Sequence, residues 1–145
     1  MPEQQPLDVW ALSAVVLFVK MFAIALYQGR HRAKSGVFAK EEDAAFFGDG
    51  TVAERDVPQV ERAQRALRND LENIPMFLIL MFVYLLYDGW EQGVYIYCGV
   101  FVLARIGHTM TYLSPRQPHR VIAYAAGLLC TLATCGHIVF EVLAR

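Results

Sequence analysis

The chain has 145 residues, a formal net charge of −1 and a hydrophobic fraction of 56%. The length suits one domain, but the hydrophobic fraction and the positive mean hydropathy are high for a small soluble fold. The balanced charge gives no basis for binding nucleic acid. Together these properties favour a membrane protein.

Four apolar runs are each close to the roughly 20 residues that a helix needs to cross a bilayer. They cover about residues 7–28, 71–87, 93–113 and 121–144. We therefore predict an all-α membrane protein, a four-transmembrane-helix bundle that forms a single integral membrane domain over residues 1–145. A loop over about residues 29–56 is the only segment without a membrane helix of its own.

The basic residues predict how the chain crosses the membrane. Lys and Arg are crowded between Gly29 and Arg68 and recur at Arg116 and Arg120, whereas residues 88–92 have none. The positive-inside rule then places both basic loops in the cytoplasm and both termini on the opposite side. Within this first basic region, the pair Asp56 and Pro58 predicts that the second helix begins near residue 57.

The head of the second helix carries charge into an apolar stretch, which needs a functional or structural reason. Arg65, Arg68, Asn69 and Glu72 are spaced i, i+3, i+4 and i+7, so a helix places them on one face. Two guanidinium groups, an amide and a carboxylate suit a zwitterionic ligand with several carboxylates.

Polar side chains on the third and fourth spans are predicted to lie at the same end of the bundle. Arg105, His108 and Tyr112 follow at i, i+3 and i+7, and the fourth span opens with Arg120, one turn before Tyr124. Taken alone, Tyr112 fits an interfacial aromatic, His108 a core histidine and the arginines lipid anchors. Their convergence at one depth favours a binding pocket.

Lys20 and the cysteines have other interpretations. Lys20 lies in the middle of the first apolar run, so we expect a structural ion pair with Asp70 or Glu72.

The three cysteines, at positions 98, 130 and 135, show no CxxC spacing or Cys/His cluster, so we expect no metal and interpret them as small packing residues. Any thiol chemistry would then need a thiol cofactor.

Three segments in order carry a resemblance to a known family. The first is Val37-Phe38-Ala39 with Glu42-Asp43. The second runs from Val60-Glu61-Arg62 to Asn69-Asp70-Leu71-Glu72-Asn73-Ile74. The third runs from Ala104-Arg105-Ile106 through His108-Thr109 to Tyr112-Leu113. The sequence resembles the MAPEG family, the membrane-associated proteins of eicosanoid and glutathione metabolism. The likeness is to its microsomal glutathione transferase and microsomal prostaglandin E synthase members.

The resemblance implies a homotrimer that binds glutathione between neighbouring subunits at the cytoplasmic side. Arg120 would stabilise the glutathione thiolate, and Asp43 would orient Arg120. The implied glutathione-binding residues are Arg32, Arg65, Arg68, Asn69, Glu72, His108, Tyr112 and Tyr124.

Two positions bear on the type of activity that the resemblance implies. Val121 follows Arg120 where the prostaglandin synthase has a serine, which weakens the case for endoperoxide isomerisation, whereas Arg68 matches the synthase better than the transferase. We favour a glutathione transferase or peroxidase that acts on lipophilic substrates arriving through the bilayer. A prostaglandin E synthase-like isomerase and a non-catalytic lipid-binding scaffold are the alternatives.

Overall fold

The computed structural model describes residues 4–46, 50–87, 90–114 and 117–144. Its elements, in chain order, are α1 (Gln4–Ser35), β1 (Val37–Phe38), α2 (Glu41–Phe46), β2 (Thr51–Val52), α3 (Pro58–Leu86), α4 (Glu91–Leu113) and α5 (His119–Leu143). The four long helices are long and apolar enough to span a membrane. They confirm the predicted four-transmembrane-helix bundle.

The boundaries of α1 correct the predicted loop. The first helix does not end near Gln28 but continues to Ser35, so residues 29–35 are helical. The extension is polar, which removes the hydropathy signal, but its Arg, Lys and Ala residues favour a helix. The helix ends at Gly36, whose φ of 65° is the left-handed conformation typical of a helix C-terminus, and whose N–H donates to the Arg32 carbonyl over 3.0 Å.

The rest of the predicted loop also has structure of its own. β1 and β2 pair in parallel, with Val37 opposite Thr51, and the short helix α2 lies between them in sequence. α3 then begins at Pro58, in the first helical position that proline favours, as predicted. The helix continues through Pro75 to Leu86.

The core of the bundle lies where the apolar faces of all four long helices meet. Phe77 of α3 stacks on Phe101 of α4 with ring centroids 3.8 Å apart, and Leu17 of α1 is fully buried in the same cluster. Cys98 and Cys130 are buried as free thiols in this core, consistent with packing roles. This packing fixes α3, α4 and α5 together and so positions the polar side chains described below.

Lys20 forms the ion pair predicted for it. Its ammonium group donates to the Asp70 carboxylate, which is completely buried, and so joins the middle of α1 to α3. Of the two predicted partners, Asp70 is therefore the correct one, and Glu72 is exposed.

Candidate functional site

A cluster of cationic, aromatic and amide side chains joins α3, α4 and α5 at one end of the bundle. We call it the polar end and define it by Asn69, Arg105, His108, Tyr112 and Arg120. Because α4 ends where α5 begins, the last turns of one helix and the first turn of the next face each other. The structure thus brings together the predicted polar groups of α4 and α5, and Arg105 joins them to Asn69 of α3.

Arg120 lies in the first turn of α5, with its guanidinium carbon 4.9 Å from the centroid of the Tyr112 ring. A guanidinium over an aromatic face is a favourable cation–π contact. Because the N-terminus of a helix carries a partial positive charge, Arg120 and the helix together provide a positive potential. This part of the polar end suits an anion.

His108 is buried between two tyrosines that were predicted to share its site. Its ring centroid lies 5.3 Å from that of Tyr112 and 6.2 Å from that of Tyr124. Its Nδ1 atom is buried without a hydrogen-bond partner among the described residues. The structure thus brings together three of the predicted binding residues from two helices.

The polar face of α3 divides into an inward part and an outward part. Asn69 is half-buried, and its side-chain oxygen accepts a hydrogen bond of 2.8 Å from Arg105. Arg65, Arg68 and Glu72 are exposed, and Arg65 approaches Glu61 at 3.4 Å. Together with Gln64, Glu61 and the two arginines line an open groove of about 210 Å³. The exposed charges are thus available to a ligand or a neighbouring molecule.

Arg32 is engaged elsewhere in the described part of the chain. Its Nε and Nη2 atoms donate to the two Asp56 carboxylate oxygens over 2.9 and 2.7 Å, and Gln64 donates to the same carboxylate over 2.7 Å. The hydrogen bond from Arg32 holds the pKa of Asp56 below its usual range. Arg32 therefore ties the end of α1 to the start of α3, and contact with a ligand would require it to share or leave this pair.

Asp43 is exposed on α2, close enough to Arg32 to interact electrostatically with it. In the residues that the structure describes, no ion pair joins it to Arg120. The predicted orienting role of Asp43 stays a prediction.

One residue of the polar end is absent from the predicted binding set. Arg105 was recognised as part of the polar face of the third span, but the structure buries it completely and bonds it to Asn69. The available signal was an arginine among apolar residues, Ala104 before it and Ile106 after it. Its orientation toward α3 and α5 depends on packing that a sequence pattern does not contain.

Four membrane-spanning helices with an anion-compatible cluster at one end define an integral, multi-pass membrane protein with a candidate site for a polar ligand. The sequence comparisons then identify the family. The model of the MAPEG family matches residues 10–140. The chain belongs to the MAPEG family.

The chain is similar to characterised proteins over most of its length. It is 37% identical over 138 residues to the prostaglandin E synthase of Equus caballus, covering 94% of this chain and 90% of the relative. To the human prostaglandin E synthase it is 34% identical over 136 residues, covering 93% and 89%. The microsomal glutathione S-transferase 1 of Rattus norvegicus is 39% identical over 124 residues, with 83% of this chain and 80% of the relative covered.

Proposed function

We propose that the protein is a membrane-bound glutathione transferase and peroxidase that activates the glutathione thiolate against lipophilic electrophiles or lipid hydroperoxides. The observation that carries this proposal is the position of Arg120, over Tyr112 in the first turn of α5. The similarity to microsomal glutathione S-transferase 1 supports the same conclusion.

The charges near the polar end complement glutathione. Glutathione carries two carboxylates and an α-amino group, and exposed Arg65 and Arg68 offer guanidinium forks to carboxylates while Glu72 offers a carboxylate to the amino group. We assign the same ligand to Asn69, His108, Tyr112 and Tyr124, which lie beside these charges or on the facing helices. Arg32 and Asp43 complete the proposed set from the connection between α1 and α3.

The chemistry depends on the thiolate, since a thiol is a poor nucleophile and its unperturbed pKa is about 8.5. The thiol proton leaves to solvent, and the remaining sulfur anion lies close to the Arg120 guanidinium and the α5 N-terminus. Lowering the thiol pKa by about two units requires roughly 2.7 kcal/mol of preferential interaction with the anion. A guanidinium in a partly dry site can supply an interaction of that size.

The reaction then follows from the sulfur nucleophile. With an electrophile, the thiolate forms a carbon–sulfur bond and the leaving group departs with its electron pair. With a hydroperoxide, two glutathione molecules are oxidised to the disulfide while the hydroperoxide is reduced to an alcohol and water. We expect lipophilic substrates to reach the site from the bilayer, because the outer surfaces of the helices are apolar.

We also propose a homotrimer in which glutathione binds between subunits, with the polar end facing the cytoplasm and both termini on the other side. The exposed Arg65, Arg68 and Glu72 support association, because a charged face beside apolar helix surfaces is costly against lipid. The distribution of Lys and Arg supports the orientation.

A prostaglandin E synthase-like isomerase is the second candidate, favoured by the similarity to prostaglandin E synthases over more than nine-tenths of the chain. Val121, half-exposed beside Arg120, has no hydroxyl to offer the thiol. A non-catalytic lipid-binding scaffold is the third, and Arg120 at the polar end argues against it, because a lipid binder needs no thiolate site.

Two assays on the purified protein test the proposal. Conjugation of glutathione to a generic aryl halide, and glutathione-dependent reduction of a lipid hydroperoxide, should both proceed above the uncatalysed rate. Activity only with an endoperoxide would instead support the isomerase. Failure to bind glutathione would support the scaffold and contradict both enzymatic functions.

A further inference from the structure

Arg105 contacts two proposed glutathione-binding residues from inside the bundle. Its Nη1 atom donates to the Asn69 side-chain oxygen over 2.8 Å, and its guanidinium carbon lies 5.8 Å from the Tyr124 ring centroid. On its other side it lies 5.3 Å from the Phe101 ring centroid. A single buried cation therefore links α3, α4 and α5 immediately behind the proposed site.

Hydrogen bonding within the bundle does not account for an arginine at this position. Its only hydrogen bond in the described part of the chain goes to a neutral amide, and its Nε and Nη2 atoms have no partner there. The nearby Asp70 carboxylate bonds Lys20 through Oδ2 and attracts Arg105 electrostatically, but no hydrogen bond joins it to the guanidinium in the described residues. Since burying a guanidinium is costly unless its donors are satisfied, Arg105 needs a reason beyond packing.

Gly127 of α5 provides the space that the guanidinium occupies. A Cβ atom at this position would lie 2.6 Å from Arg105 Nη2 and 3.0 Å from Nε. Real Cβ atoms do not approach other atoms as closely as the shorter of these distances. Any residue with a Cβ atom at this position would have to displace the guanidinium, so glycine is what allows this contact.

The bond from Arg105 determines which atoms Asn69 can offer to a ligand. A guanidinium has only donors, so it must bond the amide oxygen and not the amide nitrogen. The Asn69 carbonyl oxygen of the main chain is also occupied, by the side chain of Asn73 over 2.7 Å. Arg105 thus takes one lone pair of the side-chain oxygen and fixes the orientation of the amide, whose NH₂ group remains available and can only donate.

We propose that Arg105, seated against Gly127, is a positioning residue that orients the Asn69 amide to donate to a carboxylate or carbonyl oxygen of glutathione. This inference rests on the proposed function, because it names the part of the glutathione site that Asn69 recognises.

The test compares two alanine substitutions on the same helix. Gly127→Ala places a methyl group against the guanidinium, whereas Gly136→Ala is the matched control, since a Cβ there meets nothing within 4 Å. Calorimetric titration with glutathione should give a dissociation constant about tenfold higher for Gly127→Ala, the effect of losing one hydrogen bond to a charged group. Gly136→Ala should bind like the wild type.

A double-mutant cycle separates positioning from general damage to packing. If Arg105 acts through Asn69, Gly127→Ala should have little further effect on glutathione affinity in an Asn69→Ala background. General damage would raise the dissociation constant by the same factor in both backgrounds and would overturn the inference. Arg105→Lys, which keeps the charge and adds no volume, provides the same comparison should Gly127→Ala fail to fold.

The wild-type titration distinguishes failure of the proposed function from failure of the inference about Arg105. Absence of glutathione binding by the wild type would overturn the proposed function and this inference together. Normal binding by the wild type, with unchanged affinity in both Gly127→Ala and Arg105→Lys, would overturn the inference alone.

Discussion

At the scale of single residues, the polar side chains of α3 separate into those that bond within the bundle and those that are free to bind. Asp70 and Asn69 bond Lys20 and Arg105, respectively, whereas Arg68 and Glu72 are exposed. Helical spacing predicted the residues that share this region. It did not predict which of them would form hydrogen bonds inside the bundle, because those bonds are made with Lys20 and Arg105 from other helices.

Arg65→Ala is predicted to weaken glutathione binding, because it removes a guanidinium from a carboxylate that is partly desolvated in the complex. A loss of about 2 to 5 kcal/mol raises the dissociation constant by about thirtyfold or more. Isothermal titration measures this directly. Arg62→Ala, an exposed arginine on the same helix, is the matched control and should retain wild-type affinity. Equal affinities for all three proteins would remove Arg65 from the site.

At the scale of elements, hydropathy predicted the four spans because membrane helices require long apolar runs. It could not predict the last two turns of α1, which are polar, or the pairing of β1 with β2, since each strand has only two residues. Helix-start chemistry did predict Pro58, because proline at the first helical position is a local signal.

The connection between α1 and α3 is predicted to depend on the buried Lys20–Asp70 pair. Asp70→Leu leaves a lysine without its partner inside the bundle, at a cost of about 3 to 5 kcal/mol. Thermal unfolding in detergent should show a clear loss of stability for this variant. Adding Lys20→Met should restore much of it, because two apolar side chains can replace the pair. If Asp70→Leu alone were as stable as the wild type, the structural role of the pair would be contradicted.

At the scale of the whole molecule, α3 and α4 present apolar surface beside exposed charge, and one subunit does not cover Arg65, Arg68 or Glu72. We expect three subunits to cover them together. Native mass spectrometry in detergent should show a trimer whose population rises with glutathione. A monomer that binds glutathione with full affinity would contradict a site shared between subunits.

The family could be recognised from the sequence because three short motifs in a fixed order are specific, and the match over residues 10–140 confirms it. The type of reaction could not be recognised from the sequence, since Val121 argues against the prostaglandin synthase whereas Arg68 matches it better than the transferase. The position of Arg120 over Tyr112 also required the structure, because it depends on how the end of α4 meets the start of α5.

The central claim is that Arg120 stabilises the thiolate of bound glutathione, and the ultraviolet absorbance of the thiolate tests it most directly. Titrated against pH, the wild-type complex should show thiolate well below pH 8.5, the approximate pKa of an unperturbed thiol. Arg120→Leu should still bind glutathione, because we assign the carboxylates to Arg65 and Arg68, but its thiolate should appear about one unit or more higher in pH. Identical titration curves for the two proteins would contradict the assignment of Arg120.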